Sequence, residues 1–133
     1  MKKHLPYYLS TGLLSLMMLG NVYMYLSFHP LVVHGFSNTL VEGYNAFGFP
    51  AWLILPMGVA KLLGVIAFWA PQVPRWLREW AYAGFFFNFL LAFGAHAFNP
   101  INPNDGDSAG AVVALVILCI SRYTLYKKES EEA

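Results

Sequence analysis

The sequence predicts an all-α protein, an integral membrane four-helix bundle with both termini in the cytoplasm. Three observations carry the prediction. The 133 residues are 58% hydrophobic, 17% aromatic and only 11% charged, against about a quarter charged in ordinary soluble chains. Four separate stretches are apolar over enough residues to cross about 30 Å of hydrocarbon as helices. The lysines and arginines of the connecting segments fall on one side of those stretches only. A chain of this length holds one domain, residues 1–133.

The first span runs approximately over 7–28, from Tyr7 to Phe28. It follows Met1, Lys2, Lys3 and His4, a basic start like that of a signal peptide, but no small-x-small cleavage site comes after it. It is therefore read as a retained span. The connection 29–50 is long for a compact bundle and carries aromatic and apolar residues. It is expected to fold back as a short interfacial or re-entrant segment over the outer mouth.

Pro50 punctuates the entry to the second span, 51–70, from Ala51 to Ala70, and Pro71 and Pro74 make the turn that follows tight. The third span covers 80–98, from Trp80 to Phe98. The turn-forming run from Asn99 to Asp107 separates it from the fourth, 109–126, from Ala109 to Tyr126. Cys119, the single cysteine, lies inside that last apolar run and reads as a small buried hydrophobe. The acidic residues from Glu129 to Glu132 read as a solvated end, and no internal repeat is evident.

Charge sets the orientation. Lys2, Lys3, Arg75, Arg78, Arg122, Lys127 and Lys128 lie in the N-terminal tail, in the second connection or at the C-terminal end, whereas the first and third connections hold no lysine or arginine. The positive-inside rule then places both termini in the cytoplasm, and Glu42, Asp105 and Asp107 outside. Tyrosines and tryptophans, among them Tyr7, Tyr23, Tyr25, Trp52, Trp69, Trp76, Trp80 and Tyr126, cluster near span ends as an aromatic belt. A formal charge of +1 with scattered cations excludes a nucleic-acid surface. The partner implied is the lipid bilayer, with the bacterial cytoplasmic membrane as the favoured location.

Helices in lipid associate through close packing and occasional hydrogen bonds, so small and polar residues mark inward faces. On the third span Ala81, Gly84, Asn88, Ala92, Ala95, His96 and Asn99 form one stripe, with Phe86, Phe87, Phe89, Leu90 and Phe93 on other faces. The second span offers Met57, Ala60, Lys61, Gly64 and Ala67, the first Thr11, Ser15, Met18 and Asn21, and the fourth Gly110, Ala114 and Ser121. The glycines and alanines of the second and fourth spans serve packing within one bundle or between subunits of a homo-oligomer.

Lys61 is the candidate site residue the sequence marks most strongly. It is the one charge within its span, and no span holds an aspartate or glutamate. An ammonium at the bilayer centre costs roughly 3 kcal/mol or more unless it faces protein, water or a ligand. Depth brings Asn88 of the third span near it, and the Asn88 carbonyl is expected to accept a hydrogen bond from the lysine. The candidate ligand-binding set is Lys61, Asn88, His96, Asn21 and Ser15. Glu42, His29, His34 and Asn99 are candidate contributors at the outer mouth. Each has a bland alternative: Lys61 as a snorkelling or helix-bridging lysine, Asn88 as interhelical glue, His96 as a packing histidine, Glu42 as a solvated carboxylate.

No metal site is expected, because His29 and His34 are completed by no cysteine or carboxylate cluster. The nucleophile elbow, the zinc-protease motif, the P-loop and the dinucleotide fingerprint are all missing from the sequence. An accessory role is therefore favoured over a self-contained enzyme, and no catalytic residue is assigned. Haem held by His96 and an outer-loop histidine lacks support.

Three segments carry a family resemblance: Gly48-Phe49-Pro50-Ala51-Trp52-Leu53, Gly58-Val59-Ala60-Lys61-Leu62-Leu63-Gly64, and Trp80-Ala81-Tyr82-Ala83-Gly84-Phe85-Phe86-Phe87-Asn88. With Ser10-Thr11-Gly12 and the apolar run after it, the chain resembles the DoxX-like family of small four-span membrane proteins over most of its length. Relatives often carry an acidic residue where Asn88 stands, and the 29–50 connection is longer than usual. The resemblance implies a four-span fold and a link to quinone-dependent redox systems, with quinone as the candidate cofactor and a membrane or peripheral redox protein as partner. On that reading Lys61 contacts a quinone carbonyl or mediates its protonation, Asn88 orients the lysine, and His96 lines the route outward. The alternatives are an assembly factor or interaction protein without catalysis, and a small-molecule carrier.

Overall fold

Proline at the start of a helix costs nothing, because the first N–H groups have no partner within the helix. Pro6 stands at that position in the first helix of a computed structural model, which describes residues 2–29, 32, 51–98 and 108–133. A 3-10 turn, Lys2–His4, leads into α1, Leu5–Leu26. The helix closes with His29 N donating to Met24 O at 2.9 Å and Phe28 N to Tyr25 O at 3.2 Å, with Phe28 in the left-handed region at φ 51°. That is the geometry of a Schellman cap, with phenylalanine where glycine is usual.

A 3-10 turn, Ala51–Leu53, precedes α2, Ile54–Trp69. Ala70 leaves the helix at ψ 120°, as the residue before a proline must. Helix α3, Arg75–Ala97, begins directly after Pro74. Arg78 on its first turn donates through Nε to Ala67 O at 3.2 Å and through Nη2 to Ala70 O at 3.3 Å, covering the orphan carbonyls at the end of α2. Helix α4 is Ser108–Glu132. Among the described residues the fold is all-helical, with four α-helices and no strand.

The helices pack as a ring in chain order, with α4 closing on α1, and the seam between α2 and α3 is the least contacted of the four. The centre holds Leu14 and Met18 of α1, Val65 and Phe68 of α2, Tyr82, Phe85 and Phe89 of α3, and Ala114, Leu118 and Leu125 of α4. Hydrogen bonds cross this core and join all four helices. Thr11 Oγ1 and Tyr82 Oη each lie 2.7 Å from Ser121 Oγ. Trp69 Nε1 donates to Ser15 Oγ at 2.8 Å, and Ser15 donates to Thr11 O at 2.7 Å. Polar bonds of this kind between helices in lipid are each worth about 0.6–1.7 kcal/mol.

Three expectations are corrected here, the first being Cys119, which is exposed on α4 and not buried. The inward face of α3 is the aromatic stripe Tyr82, Phe85 and Phe89, while Gly84 is exposed and Asn88 half-buried. Rings of that size fill the centre because Gly64 and Ala114 opposite them are small. The C-terminal acidic residues are helical and paired: Glu129 with Arg75 at 3.3 Å and Glu131 with Lys3 at 3.6 Å. These pairs gather the N-terminus, the α2–α3 turn and the C-terminus at one end of the bundle.

The outer surface is apolar. Leu9, Leu16, Leu63, Phe87 and Val116 are each more than half exposed, and together they cover all four helices. A water-soluble monomer rarely shows so much exposed apolar surface. Helices α1 and α4 are long and apolar enough to cross a membrane, with most of their residues facing outward.

Candidate functional site

Two glycines one turn to either side of Lys61 set the local geometry. A Cβ on Gly58 would lie 2.9 Å from Tyr25 Cβ, so only glycine lets α1 approach α2 this closely. A Cβ on Gly64 would lie 2.5 Å from Phe85 Cε2, so the Phe85 ring of α3 rests directly on the α2 backbone. Lys61 is thereby enclosed between neighbours and is only 7% exposed.

Its partners come from α1. Asn21 Nδ2 donates to Met17 O at 3.0 Å, which turns Oδ1 toward the lysine, and Nζ lies 3.5 Å from that oxygen. This is long for a hydrogen bond and leaves donor capacity on the ammonium. Nζ also sits 4.2 Å from the centroid of the Tyr25 ring, a cation–π distance. The expected bond from Lys61 to Asn88 is replaced by this α1 pairing, because Gly58 brings α1 closer to the lysine than the loose α2–α3 seam brings α3.

Asn88 instead shares a cavity with Lys61. The cavity lies in the α2–α3 seam, has a volume of about 540 Å³, and is walled by Met57, Gly64, Ala67, Leu77, Ala81 and Phe85 among others. Lys61, Asn88 and Trp80 are the lining residues whose side chains carry nitrogen. Leu63, Ile66 and Trp80 at its rim are 59%, 48% and 68% exposed, so it opens sideways through the outer face of the bundle. Such a site admits a flat apolar molecule with a hydrogen-bond acceptor at one end.

The other candidates are dispersed. Ser15 is buried, and its hydroxyl is committed to Trp69 and Thr11. His96 lies in the last turn of α3, eight residues beyond Asn88, which is about 12 Å along the helix. His29 is half-buried just after α1. His34, Glu42 and Asn99 lie outside the described residues. Among the described residues no group of three His, Cys, Asp or Glu side chains could hold a metal ion.

Tyr25 was legible only as part of the aromatic belt. Extending the Thr11, Ser15, Met18 stripe by two turns reaches it, so the 3.6-residue period held the signal.

The profile of the DoxX-like family matches residues 9–121. The chain belongs to the DoxX-like family. The matched stretch of this DoxX-like protein takes in Lys61, Asn88, Gly58, Gly64 and the Thr11, Tyr82 and Ser121 hydroxyls. Family membership and the two long apolar helices together identify a membrane protein. No curated protein and no solved structure matches the chain.

Proposed function

We propose that this DoxX-like protein is a four-span protein of the bacterial cytoplasmic membrane that binds a quinone in the α2–α3 cavity, as an accessory subunit of a membrane redox system. The carrying observation is the sideways-opening apolar cavity with Lys61 in its wall. A quinone is a flat, largely apolar ring with carbonyl acceptors and a long hydrocarbon tail. Lys61 Nζ and Asn88 Nδ2 are donors for a carbonyl, the Trp80 indole and Phe85 ring offer aromatic surface, and the exposed rim at Leu63 and Ile66 lets the tail pass into lipid. Electrons would come from a partner's redox centre. Reduction to the quinol takes two electrons and two protons; both protons would come from water, one of them by way of the Lys61 ammonium, which would pass its proton to the carbonyl oxygen and be reprotonated.

The charge distribution supports the orientation. Cations and their ion-pair partners gather at the end that holds both termini, and the positive-inside rule makes that end cytoplasmic.

A short-tailed quinone should quench tryptophan fluorescence on binding, since Trp80 lines the cavity. Lys61→Met should weaken binding about tenfold or more, the effect of losing a hydrogen bond from a charged donor. Equal affinity in wild type and variant would remove Lys61 from the site.

A further inference from the structure

A second groove, of about 490 Å³, lies between α3 and α4, away from the α2–α3 cavity. At its mouth Arg122 and Glu79 meet side-on: Nε donates to Oε2 at 2.9 Å and Nη2 lies 2.8 Å from Oε1. Their side chains remain 31% and 36% exposed. A guanidinium has five N–H donors and each carboxylate oxygen two lone pairs. The pair therefore still offers donors and acceptors to an outside group.

The surroundings fix the depth. Trp76, Trp80, Tyr123 and Tyr126, all more than half exposed, stand within about a turn of the pair along α3 and α4. Aromatic rings gather at the headgroup level of a bilayer. From there the groove continues over Ala83, Phe86, Leu118 and Cys119, an apolar channel suited to an acyl chain.

We infer that this groove binds a phospholipid whose headgroup carries a phosphate and a primary amine. Arg122 takes the phosphate, Glu79 accepts from the amine, and one acyl chain lies over Phe86 and Leu118. Charge complementarity selects this headgroup. The ion pair presents one positive and one negative group, matching a zwitterion. A purely anionic headgroup would set no positive charge against Glu79, and a quaternary ammonium has no N–H to donate. The site is independent of the quinone reading, because it uses the opposite flank of α3.

The test reconstitutes the full chain in vesicles of equal parts phosphatidylethanolamine, phosphatidylcholine and phosphatidylglycerol with identical acyl chains, then counts retained lipids by native mass spectrometry after gentle extraction. The ethanolamine lipid should be enriched about fivefold or more over the other two, as one charge-assisted hydrogen bond implies. Glu79→Gln should abolish the preference over choline. Cys119→Trp, which fills the apolar part of the groove and leaves both members of the ion pair in the chain, should lose the bound lipid while circular dichroism and melting stay as in wild type. Equal retention of the three headgroups, or undiminished binding in a folded Cys119→Trp, would overturn the inference.

Discussion

Replacing Gly64 by alanine tests the packing that encloses Lys61. The new methyl carbon would lie 2.5 Å from Phe85 Cε2 and 2.7 Å from Cζ, whereas carbon atoms settle about 3.5–4 Å apart. The ring must retreat by about 1 Å. It is held by neighbours, its centroid 5.3 Å from that of Phe68 and 5.8 Å from that of Phe89. Overpacking of this sort costs about 1–3 kcal/mol, and alanine returns up to about 1 kcal/mol of helix propensity. A net loss of about 1–2 kcal/mol follows. Gly84→Ala is the control, because nothing lies within 4 Å of its added Cβ, and it should be neutral or slightly stabilising. Adding Phe85→Leu to Gly64→Ala should give a coupling of about 0.5–2 kcal/mol, as expected for residues in contact. Equilibrium unfolding in mixed micelles, followed by circular dichroism, reads the wild type, the single variants Gly64→Ala, Gly84→Ala and Phe85→Leu, and the double variant. Equal stability of Gly64→Ala and Gly84→Ala would refute the reasoning.

Ser121→Ala removes the centre of the Thr11, Ser121 and Tyr82 hydroxyl cluster and should cost about 1–3 kcal/mol in the same assay, since two buried hydroxyls lose their shared partner; a change below half of the lower figure would show the cluster to be dispensable. Trp69→Phe deletes the donor to Ser15 and should cost about 0.6–1.7 kcal/mol, while the same substitution in a Ser15→Ala background should cost less; equal costs in both backgrounds would exclude the bond. Trp52, Trp69, Trp76 and Trp80 are all exposed and all lie near helix ends, so lipids brominated near the headgroup should quench the protein's fluorescence more than lipids brominated near the chain terminus, and the reverse order would contradict the membrane placement.

Hydropathy located the four helices because their outward faces are apolar as well as their inward ones. It misplaced the start of α3 and the end of α4, where polar side chains extend the helices by pairing with one another. Arg78 covers the α2 carbonyls, Glu79 meets Arg122, and Glu129 and Glu131 meet Arg75 and Lys3. Apart from the carbonyls that Arg78 meets across the α2–α3 turn, those partners are distant in sequence. The small-residue rule found most inward residues of α1, α2 and α4, including Ser15, Lys61 and Ser121, but it also picked Ala60 and Gly110, which are exposed. It failed on α3, where large rings face inward against the glycine and alanine of other helices. Lys61 and Asn88 were legible as polar residues at similar depth, and they do share one cavity. The pairing of Lys61 with Asn21 and Tyr25 depends on how closely Gly58 lets α1 approach, a distance set by packing between helices.

Gentle purification from native membranes, with bound quinones and polypeptides measured by mass spectrometry in wild type and Lys61→Met, tests the central claim most directly. Quinone should be retained by the wild type and lost from a Lys61→Met variant that keeps its fold. Stoichiometric protein partners without quinone, unchanged by the substitution, would contradict it and turn the open α2–α3 seam into a docking site of an assembly factor.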